Sequence, residues 1–302
     1  LFFHKRVLRL KKFDEPEELL VIDAPTRGTL VHEILCGFFT RCRDGGLLPI
    51  DPKDKNRHLE MLESVTGAQF LAAESSGVCG PPALWEREKE NIRSCLTLVL
   101  DEEYGEKGRF IPTMFEVDFG AGDAQAPLEI AAGESRLRFK GRIDRIDTES
   151  DGNGIRVIDY KTGKLGQDAS MPFLPKDKKG GRFFFQTMIY VLAAPSALGT
   201  GRAGVPSGEN YHISPAEGRI DRVTYGGSDL EAHTETLKAI LSGIRDGIEK
   251  GIFIRRPERH CDYCDFANAC AADRKLLFRR KESDTPVTDI GWIFTGELPQ
   301  SD

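Results

Sequence analysis

The spacing of hydrophobic residues predicts amphipathic helices near both ends of the chain. In residues 23–42 the apolar positions recur at steps of three and four, which is typical of a helix that buries one face. These positions are Leu30, Val31, Ile34, Leu35, Phe38 and Phe39. Residues 228–251 are predicted to form another helix, with Ser228 or Asp229 as the N-cap and Gly251 near its end.

The middle of the chain carries strand patterns. Strands or hairpins are predicted at 110–120, 135–147, 154–163 and 210–225. Residues 183–194 predict a buried helix, whereas residues 52–107 are charged and mostly helical, with an interruption at 75–85. The pattern therefore predicts an α/β protein, in which helices flank a central mixed β-sheet and a helical insertion occupies about 46–108.

Composition narrows the classes of function. The 302 residues carry a net charge of −6, which is not the balance of a protein that coats nucleic acid non-specifically. An enzyme that acts on nucleic acid needs only a local basic groove, so that class stays open. No run approaches the roughly 18 apolar residues of a membrane span, and no signal-peptide pattern opens the chain, so we expect a cytoplasmic protein without a membrane partner.

The two ends of the chain suggest how it is organised. Residues 1–12 look helical, and the chain begins inside that pattern at Leu1, so we expect it to be part of a longer protein. We expect one domain over residues 1–281, with a cysteine-rich segment at 252–275. Residues 282–302 are expected to form a polar, loosely ordered tail.

Seven cysteines in a chain without a secretion signal argue against a disulfide framework. Three of them, Cys261, Cys264 and Cys270, are clustered, which favours a metal or cluster site. Zinc is one alternative, with His260 as the fourth ligand, because a mixture of cysteine and histidine suits zinc.

Two acidic residues are predicted to meet across a hairpin. The turn formers of "TESDGNG" at 148–154 favour a hairpin centred between residues 151 and 152, which places Asp144 opposite Asp159. Directly opposed side chains share a face, with Cβ atoms roughly 4.5–5.5 Å apart. Lys161 is two residues beyond Asp159 and shares that face. The expected result is two carboxylates and one ammonium group in a small space.

Such a cluster suits phosphate chemistry. Adjacent carboxylates repel each other unless a cation lies between them, and their hard oxygen ligands suit Mg²⁺ or Mn²⁺. A metal ion there can activate water, and Lys161 can orient that water or stabilise developing negative charge. The alternative is an exposed hairpin with an ordinary ion pair, and these residues alone do not decide between the two.

The same residues resemble the signature of a known family. "GRID" at 141–144, followed by "VIDYKTG" at 157–163, resembles the core of the PD-(D/E)XK nuclease superfamily, in particular its RecB-like branch. His32, in "GTLVHEIL", resembles the metal-binding histidine on the upstream helix of that branch. The resemblance implies a restriction-endonuclease-like core.

Two later motifs extend the resemblance. Gln186 and Tyr190, in "QTMIY", resemble the Q-x-x-x-Y helix that follows the catalytic strands. The three clustered cysteines resemble the C-x2-C-x5-C tail of the iron–sulfur nucleases in this branch, which include AddB-type subunits of bacterial helicase–nucleases and CRISPR adaptation nucleases. The motifs occur in the family's order over about residues 1–275.

The resemblance implies a role for each matching residue. His32, Asp144 and Asp159 would bind Mg²⁺ or Mn²⁺, with the Tyr160 backbone carbonyl as a further ligand, and Lys161 would assist the attacking water. Gln186 and Tyr190 would orient the site or contact the DNA strand. Glu116, on the first strand, is a weaker candidate for the same site.

For the cysteines, the resemblance implies a [4Fe-4S] cluster in the full-length protein. In the family the fourth cysteine lies upstream, just before a helix like that of residues 1–12. We therefore expect the cluster to be absent or incomplete in the present chain, and to join the two ends of the domain in the full-length protein.

The implied function is metal-dependent hydrolysis of DNA, as the exonuclease domain of an AddB-type subunit that works beside a helicase–nuclease partner in double-strand-break resection. The alternatives are a free-standing RecB-like exonuclease, a CRISPR adaptation nuclease, or a non-catalytic DNA-binding scaffold with the same fold. We expect the basic loop at 175–182 and the arginines Arg142 and Arg145 to face the DNA strand.

Overall fold

A computed structural model of the chain describes residues 3–11, 22–106, 108–120, 127–133, 135–152, 154–163, 185–199, 206–253, 257, 261, 264–271 and 273–295. The helices are α1 (Ala24–Asp44), α2 (Lys55–Ser76), α3 (Pro82–Gly105), α4 (Phe185–Ala197), α5 (Gly227–Glu249), α6 (Arg274–Lys281) and α7 (Thr285–Thr295). The strands are β1 (Phe110–Phe119), β2 (Leu128–Ala132), β3 (Ser135–Phe139), β4 (Gly141–Glu149), β5 (Ile155–Thr162), β6 (Pro206–Ser214) and β7 (Arg219–Tyr225).

Five strands form the central sheet, in the order β1-β4-β5-β6-β7. Strands β5 and β6 are parallel, and the other neighbours are antiparallel, so the predicted mixed sheet is confirmed. Between β5 and β6 the chain passes through α4, as a parallel pair requires a crossover. Strands β2 and β3 form a separate two-stranded ribbon.

The two faces of the sheet carry separate hydrophobic clusters. One cluster joins α1, α2 and α3 to side chains of β5 and β6, among them Ile158 and Tyr211. The other joins α4, α5 and the β2–β3 ribbon to Val157 and its neighbours. The predicted helical insertion is thus two helices that form most of one face, rather than an appendage on the surface.

Helix α1 begins where its capping residue predicts. The carboxylate of Asp23 accepts a hydrogen bond from the backbone N–H of Thr26 at 2.8 Å, and a proline occupies the first turn. Helix α5 begins at Gly227 with Gly226 as its N-cap, so the predicted N-cap at Ser228 or Asp229 is wrong. Asp229 instead reaches back to accept from the Gly226 N–H at 2.9 Å, the role of the acidic residue in a capping box.

The chain ends differ from expectation. Within residues 3–11 only Phe3–Val7 forms a helical turn, shorter than the predicted helix. The expected loose tail is wrong for Thr285–Thr295, which forms α7 and buries Ile293 against α5. A Cβ atom on Gly243 would lie 2.7 Å from Ile293, so a glycine is what allows this close approach. None of the described helices is long and apolar enough to cross a membrane.

Candidate active site

The β4–β5 hairpin has the predicted register. Arg145 pairs with Ile158 and Asp147 with Arg156, and the same register continued by one step places Asp144 opposite Asp159. The regular pairing ends at Arg145, however. The Tyr160 N–H donates to the side-chain Oδ2 of Asp144 at 2.8 Å, so a carboxylate occupies the place of a backbone partner.

Strand β1 has a matching irregularity beside Asp144. Glu116 lies between two residues paired with β4, Phe115 and Val117, and it therefore faces Asp144 in the register. Its φ angle of +48° is in the left-handed region, which is uncommon for a residue with a side chain. Met114 and Val117 pack in the same cluster although they are three residues apart, so the alternation of β1 is broken near Glu116. Such strained backbone is frequent at functional sites.

Helix α1 brings His32 to this irregularity. The His32 Nε2 lies 3.0 Å from the backbone oxygen of Tyr160, and its Nδ1 lies 3.5 Å from Asp144 and 3.8 Å from Glu116. A separation of 3.0 Å fits a hydrogen bond, and it is also about the distance between neighbouring oxygen or nitrogen ligands of an octahedral ion with bonds of about 2.1 Å. The imidazole, the carbonyl and both carboxylates therefore face one small volume.

The donor set suits a divalent cation. Among the described residues, ligand atoms of His32, Glu116 and Asp144 lie within 4.8 Å of one another and could hold a metal ion. Carboxylate oxygens with one imidazole nitrogen are ligands that Mn²⁺ and Mg²⁺ accept. This grouping includes Glu116, the weakest of the sequence candidates, and places it as close to His32 as a ligand should be.

Asp159 lies behind these three groups and is almost wholly buried, with 1% of its surface exposed. Its Oδ2 is 2.5 Å from the Nζ of Lys161, which is itself partly open to solvent. Burial raises the pKa of Asp159 to about 6, Lys161 opposes the rise, and the nearby Asp144 carboxylate adds to it. The ammonium group is therefore the positive charge that this buried acid has within the described part of the chain.

Charges in the site perturb two further groups. Burial and the Asp144 carboxylate raise the pKa of Glu116. Burial alone would lower the pKa of His32, but the hydrogen bond and charge of Asp144 outweigh it and the net pKa is raised. Crowded carboxylates with raised pKa values favour the approach of a cation.

Helix α4 completes the site from the other side of the sheet. Lys161 donates from Nζ to Gln186 Oε1 at 3.1 Å, and the Gln186 Nε2 donates to the Tyr190 hydroxyl at 2.9 Å. The four-residue spacing places both side chains on one face of α4. Gln186 therefore touches the lysine directly and connects it to Tyr190.

Several sequence expectations lie elsewhere. Arg145 does not face a DNA strand, because it is completely buried, and that prediction is wrong. Arg142 is exposed and donates two hydrogen bonds to Asp118, at 2.7 and 3.0 Å. The basic loop at 175–182 and the alternative ligand His260 lie outside the described residues.

The burial of Arg145 reveals a charged network that sequence reasoning missed. Arg145 forms ion pairs with Asp147 and Glu103, and Arg156 shares Asp147 with it. A signal for it was present, since the register that opposes Asp144 and Asp159 also opposes Asp147 and Arg156. Nothing in the local sequence pointed to Glu103, on the distant helix α3.

The three clustered cysteines are half-buried free thiols. Cys270 Sγ lies 3.9 Å from the Nε2 of His4, and the His4 ring stacks on Phe266 with centroids 5.8 Å apart. The start of the chain therefore contacts the cysteine-rich segment. The three thiols are not among the described groups whose ligand atoms all lie within 4.8 Å, so the iron–sulfur cluster stays a prediction.

Comparison with known families assigns the class of protein. The model of the PD-(D/E)XK nuclease superfamily matches residues 1–271, and the chain belongs to this superfamily. The mixed sheet flanked by helices, with acids and a lysine on adjacent strands, is consistent with that assignment.

Individual relatives are similar over shorter stretches, and three of them are B subunits of ATP-dependent helicase/deoxyribonucleases. The one from Ruminiclostridium cellulolyticum is 44% identical over 86 residues, 27% of this chain and 7% of its own length. The one from Pelotomaculum thermopropionicum is 32% identical over 48% of this chain and 13% of its own length. The one from Acetivibrio thermocellus is 28% identical over 62% of this chain and 15% of its own.

The chain thus spans 7–15% of the length of these three relatives. Among solved structures, one described as the crystal structure of SSO0001 aligns with 80% of this chain and 85% of its own, at 15% identity and a TM-score of 0.29.

Proposed function

We propose that this chain is a metal-dependent deoxyribonuclease that hydrolyses phosphodiester bonds. The observation that carries the proposal is the grouping of His32, Glu116 and Asp144 around one volume, with Asp159 and Lys161 beside it. Membership of the nuclease superfamily supports the activity, and superfamily enzymes typically use a divalent metal.

The residues have separable roles in this proposal. His32, Glu116 and Asp144, with Asp159 and the Tyr160 carbonyl behind them, would hold Mg²⁺ or Mn²⁺. When bound, the ion supplies Lewis-acid stabilisation of phosphate charge and a more acidic water. Lys161 contacts Asp159 on one side and Gln186 on the other, which engages two of its three N–H groups within the described structure. The third would hold the attacking water or a phosphate oxygen.

Gln186 and Tyr190 are assigned to orientation of the lysine. Their chain of hydrogen bonds fixes the Lys161 ammonium, and the Tyr190 ring is further packed edge-on against Phe119 with centroids 6.0 Å apart. A contact of either side chain with DNA is compatible with this role, since both lie on the α4 face that meets the site.

A basic surface near the end of the chain would hold the DNA backbone. Helix α6 carries five cations and no carboxylate: Arg274, Lys275, Arg279, Arg280 and Lys281. No ion pair is found for these five groups within the described parts of the chain. In a protein with a net charge of −6, such a helix is a local site for phosphates.

For the larger protein we propose the setting of its relatives: the nuclease portion of an AddB-type subunit, acting with a helicase–nuclease partner in double-strand-break resection. The partial similarity to the helicase/deoxyribonuclease relatives supports this setting. The contact of His4 with Cys270 supports a [4Fe-4S] cluster that ties both ends of the domain in the full-length protein. Iron and sulfide analysis of that protein tests the cluster, and zinc without either element would contradict it.

The experiment that tests the activity is a cleavage assay on end-labelled single-stranded and duplex DNA with Mg²⁺ or Mn²⁺. We expect cleavage by the wild type that chelation abolishes, and a loss of at least ~100-fold in Asp159→Asn and Lys161→Met. Asp246→Asn is the matched control, because Asp246 is a partly exposed acid paired with an arginine on α5, away from the site. Wild-type protein that binds DNA but never cleaves it, with either metal, would favour the scaffold instead.

A further inference from the structure

Tyr160 is the residue between Asp159 and Lys161, and all three of its polar groups are engaged. Its backbone N–H donates to Asp144, and its backbone oxygen lies 3.0 Å from the His32 ring. Its side chain points to the opposite face of the sheet, where the hydroxyl accepts a hydrogen bond from Arg145 Nη1 at 3.1 Å. One residue's backbone therefore contacts two candidate metal ligands, and its position depends on where the side chain is held.

The group that holds the hydroxyl has no freedom to move. A guanidinium group has five N–H donors in a fixed plane. In Arg145 two of them meet Glu103, at 2.7 and 2.9 Å, and two meet Asp147, at 2.5 and 2.9 Å. The fifth donates to Tyr160, so every donor of this buried cation has an acceptor.

The carboxylates around Arg145 come from separate parts of the fold. Asp147 lies on the same strand, but Glu103 lies near the end of α3, in the helical insertion. The guanidinium carbon also lies 4.4 Å from the centroid of the Phe39 ring on α1, the helix that carries His32. Arg145 thus ties two helices and a strand to the side chain of Tyr160.

We propose that Tyr160 is a positioning residue, whose hydroxyl, gripped by Arg145 and through it by Glu103, sets the backbone that aligns Asp144 and His32 for the metal. The helical insertion is then part of the catalytic apparatus, although none of its described residues reaches the site. Partners behind the ligands of a metal site commonly change metal affinity or activity by about 10- to 100-fold when removed.

The test compares two buried tyrosines. Tyr160→Phe removes only the hydroxyl that Arg145 grips. Tyr211→Phe is the matched control, because Tyr211 is completely buried on the neighbouring strand β6 and its hydroxyl has no hydrogen-bond partner in the described structure. For both variants we would measure the dissociation constant of Mn²⁺ by calorimetry, the kcat and KM for cleavage of single-stranded DNA, and the midpoint of urea unfolding.

We expect Tyr160→Phe to weaken Mn²⁺ binding by roughly 10-fold or more and to lower kcat, with KM for DNA little changed. Tyr211→Phe should match the wild type in both quantities. A loss of stability without a change in Mn²⁺ binding or kcat would show a purely structural role and overturn the proposal. Should Tyr160→Phe fail to fold, Glu103→Gln serves instead, because it leaves Tyr160 intact and loosens only the grip on Arg145.

This inference rests on the proposed function, and the two can fail separately. Wild-type protein that neither binds Mn²⁺ nor cleaves DNA would overturn the nuclease proposal, and the positioning role with it. Wild-type protein that does both, while Tyr160→Phe and Tyr211→Phe behave alike, would overturn only the role of Tyr160.

Discussion

The ion pair of Glu103 with Arg145 should contribute far more to stability than an exposed pair of the same chemistry. We consider Glu103→Ala, which removes a carboxylate that accepts two N–H groups at 2.7 and 2.9 Å and is itself only 3% exposed. The substitution leaves two donors of a buried cation without an acceptor. Each hydrogen bond to a charged group is worth roughly 1.5–3 kcal/mol, and breaking a buried pair from one side costs about 3–5 kcal/mol.

The expected loss is therefore about 3–5 kcal/mol of unfolding free energy, a large part of the roughly 5–15 kcal/mol of a typical protein. The matched control is Glu63→Ala, because Glu63 also accepts from one arginine, Arg93, at 3.0 and 3.4 Å on a helix of the same insertion. Both partners of that pair are exposed, so its loss should cost less than about 1 kcal/mol.

Urea unfolding followed by the fluorescence of Trp85 and Trp292 measures both variants. The helical insertion contributes Trp85, and α7 contributes Trp292, so the signal covers both layers of the fold. Equal and small losses in Glu103→Ala and Glu63→Ala would refute the reasoning, because they would mean that burial and full pairing of Arg145 add nothing to stability.

Three further predictions follow from close contacts, backbone strain and burial. Gly208→Ala should destabilise the protein, because the new Cβ would lie 2.6 Å from Thr187 and 2.7 Å from Val191 on α4; a shift of the urea midpoint measures it, and an unchanged midpoint would contradict that packing. Glu116→Gly should be more stable than Glu116→Ala by about 1 kcal/mol, since glycine accepts a φ of +48° without strain; equal stabilities would argue against that backbone conformation. Mn²⁺ affinity should fall as the pH drops below about 6, because a proton on Asp159 competes with the cation; in calorimetry Asp159→Asn should bind weakly and lose this dependence.

The sequence was sufficient where short-range pattern decides the structure. The turn formers at 151–154 set the register of the β4–β5 hairpin, and with it the approach of Asp144 to Asp159. The four-residue step of Gln186 and Tyr190 likewise required only the geometry of a helix. The central mixed sheet and the two helices of the insertion were also predictable from hydrophobic spacing.

Long-range pairing was not accessible in the same way. Arg145 follows Asp144 directly and looks like a surface cation, yet its partner Glu103 is 42 residues away on a helix whose packing no local pattern reveals. The irregularity at Glu116 also depends on two strands deviating together. The α7 helix was missed because its contact with α5 depends on Gly243, which reads in the sequence only as an interruption of a helix.

The most direct test of the central claim is to locate the metal. Crystals soaked in Mn²⁺ should show an anomalous scattering peak among the side chains of His32, Glu116 and Asp144, with bonds of about 2.1–2.2 Å to oxygen and nitrogen. Crystals of Asp144→Asn should lose that peak under the same conditions. A peak elsewhere, or none in well-ordered wild-type crystals at saturating Mn²⁺, would contradict the assignment of this cluster as the metal centre of a nuclease.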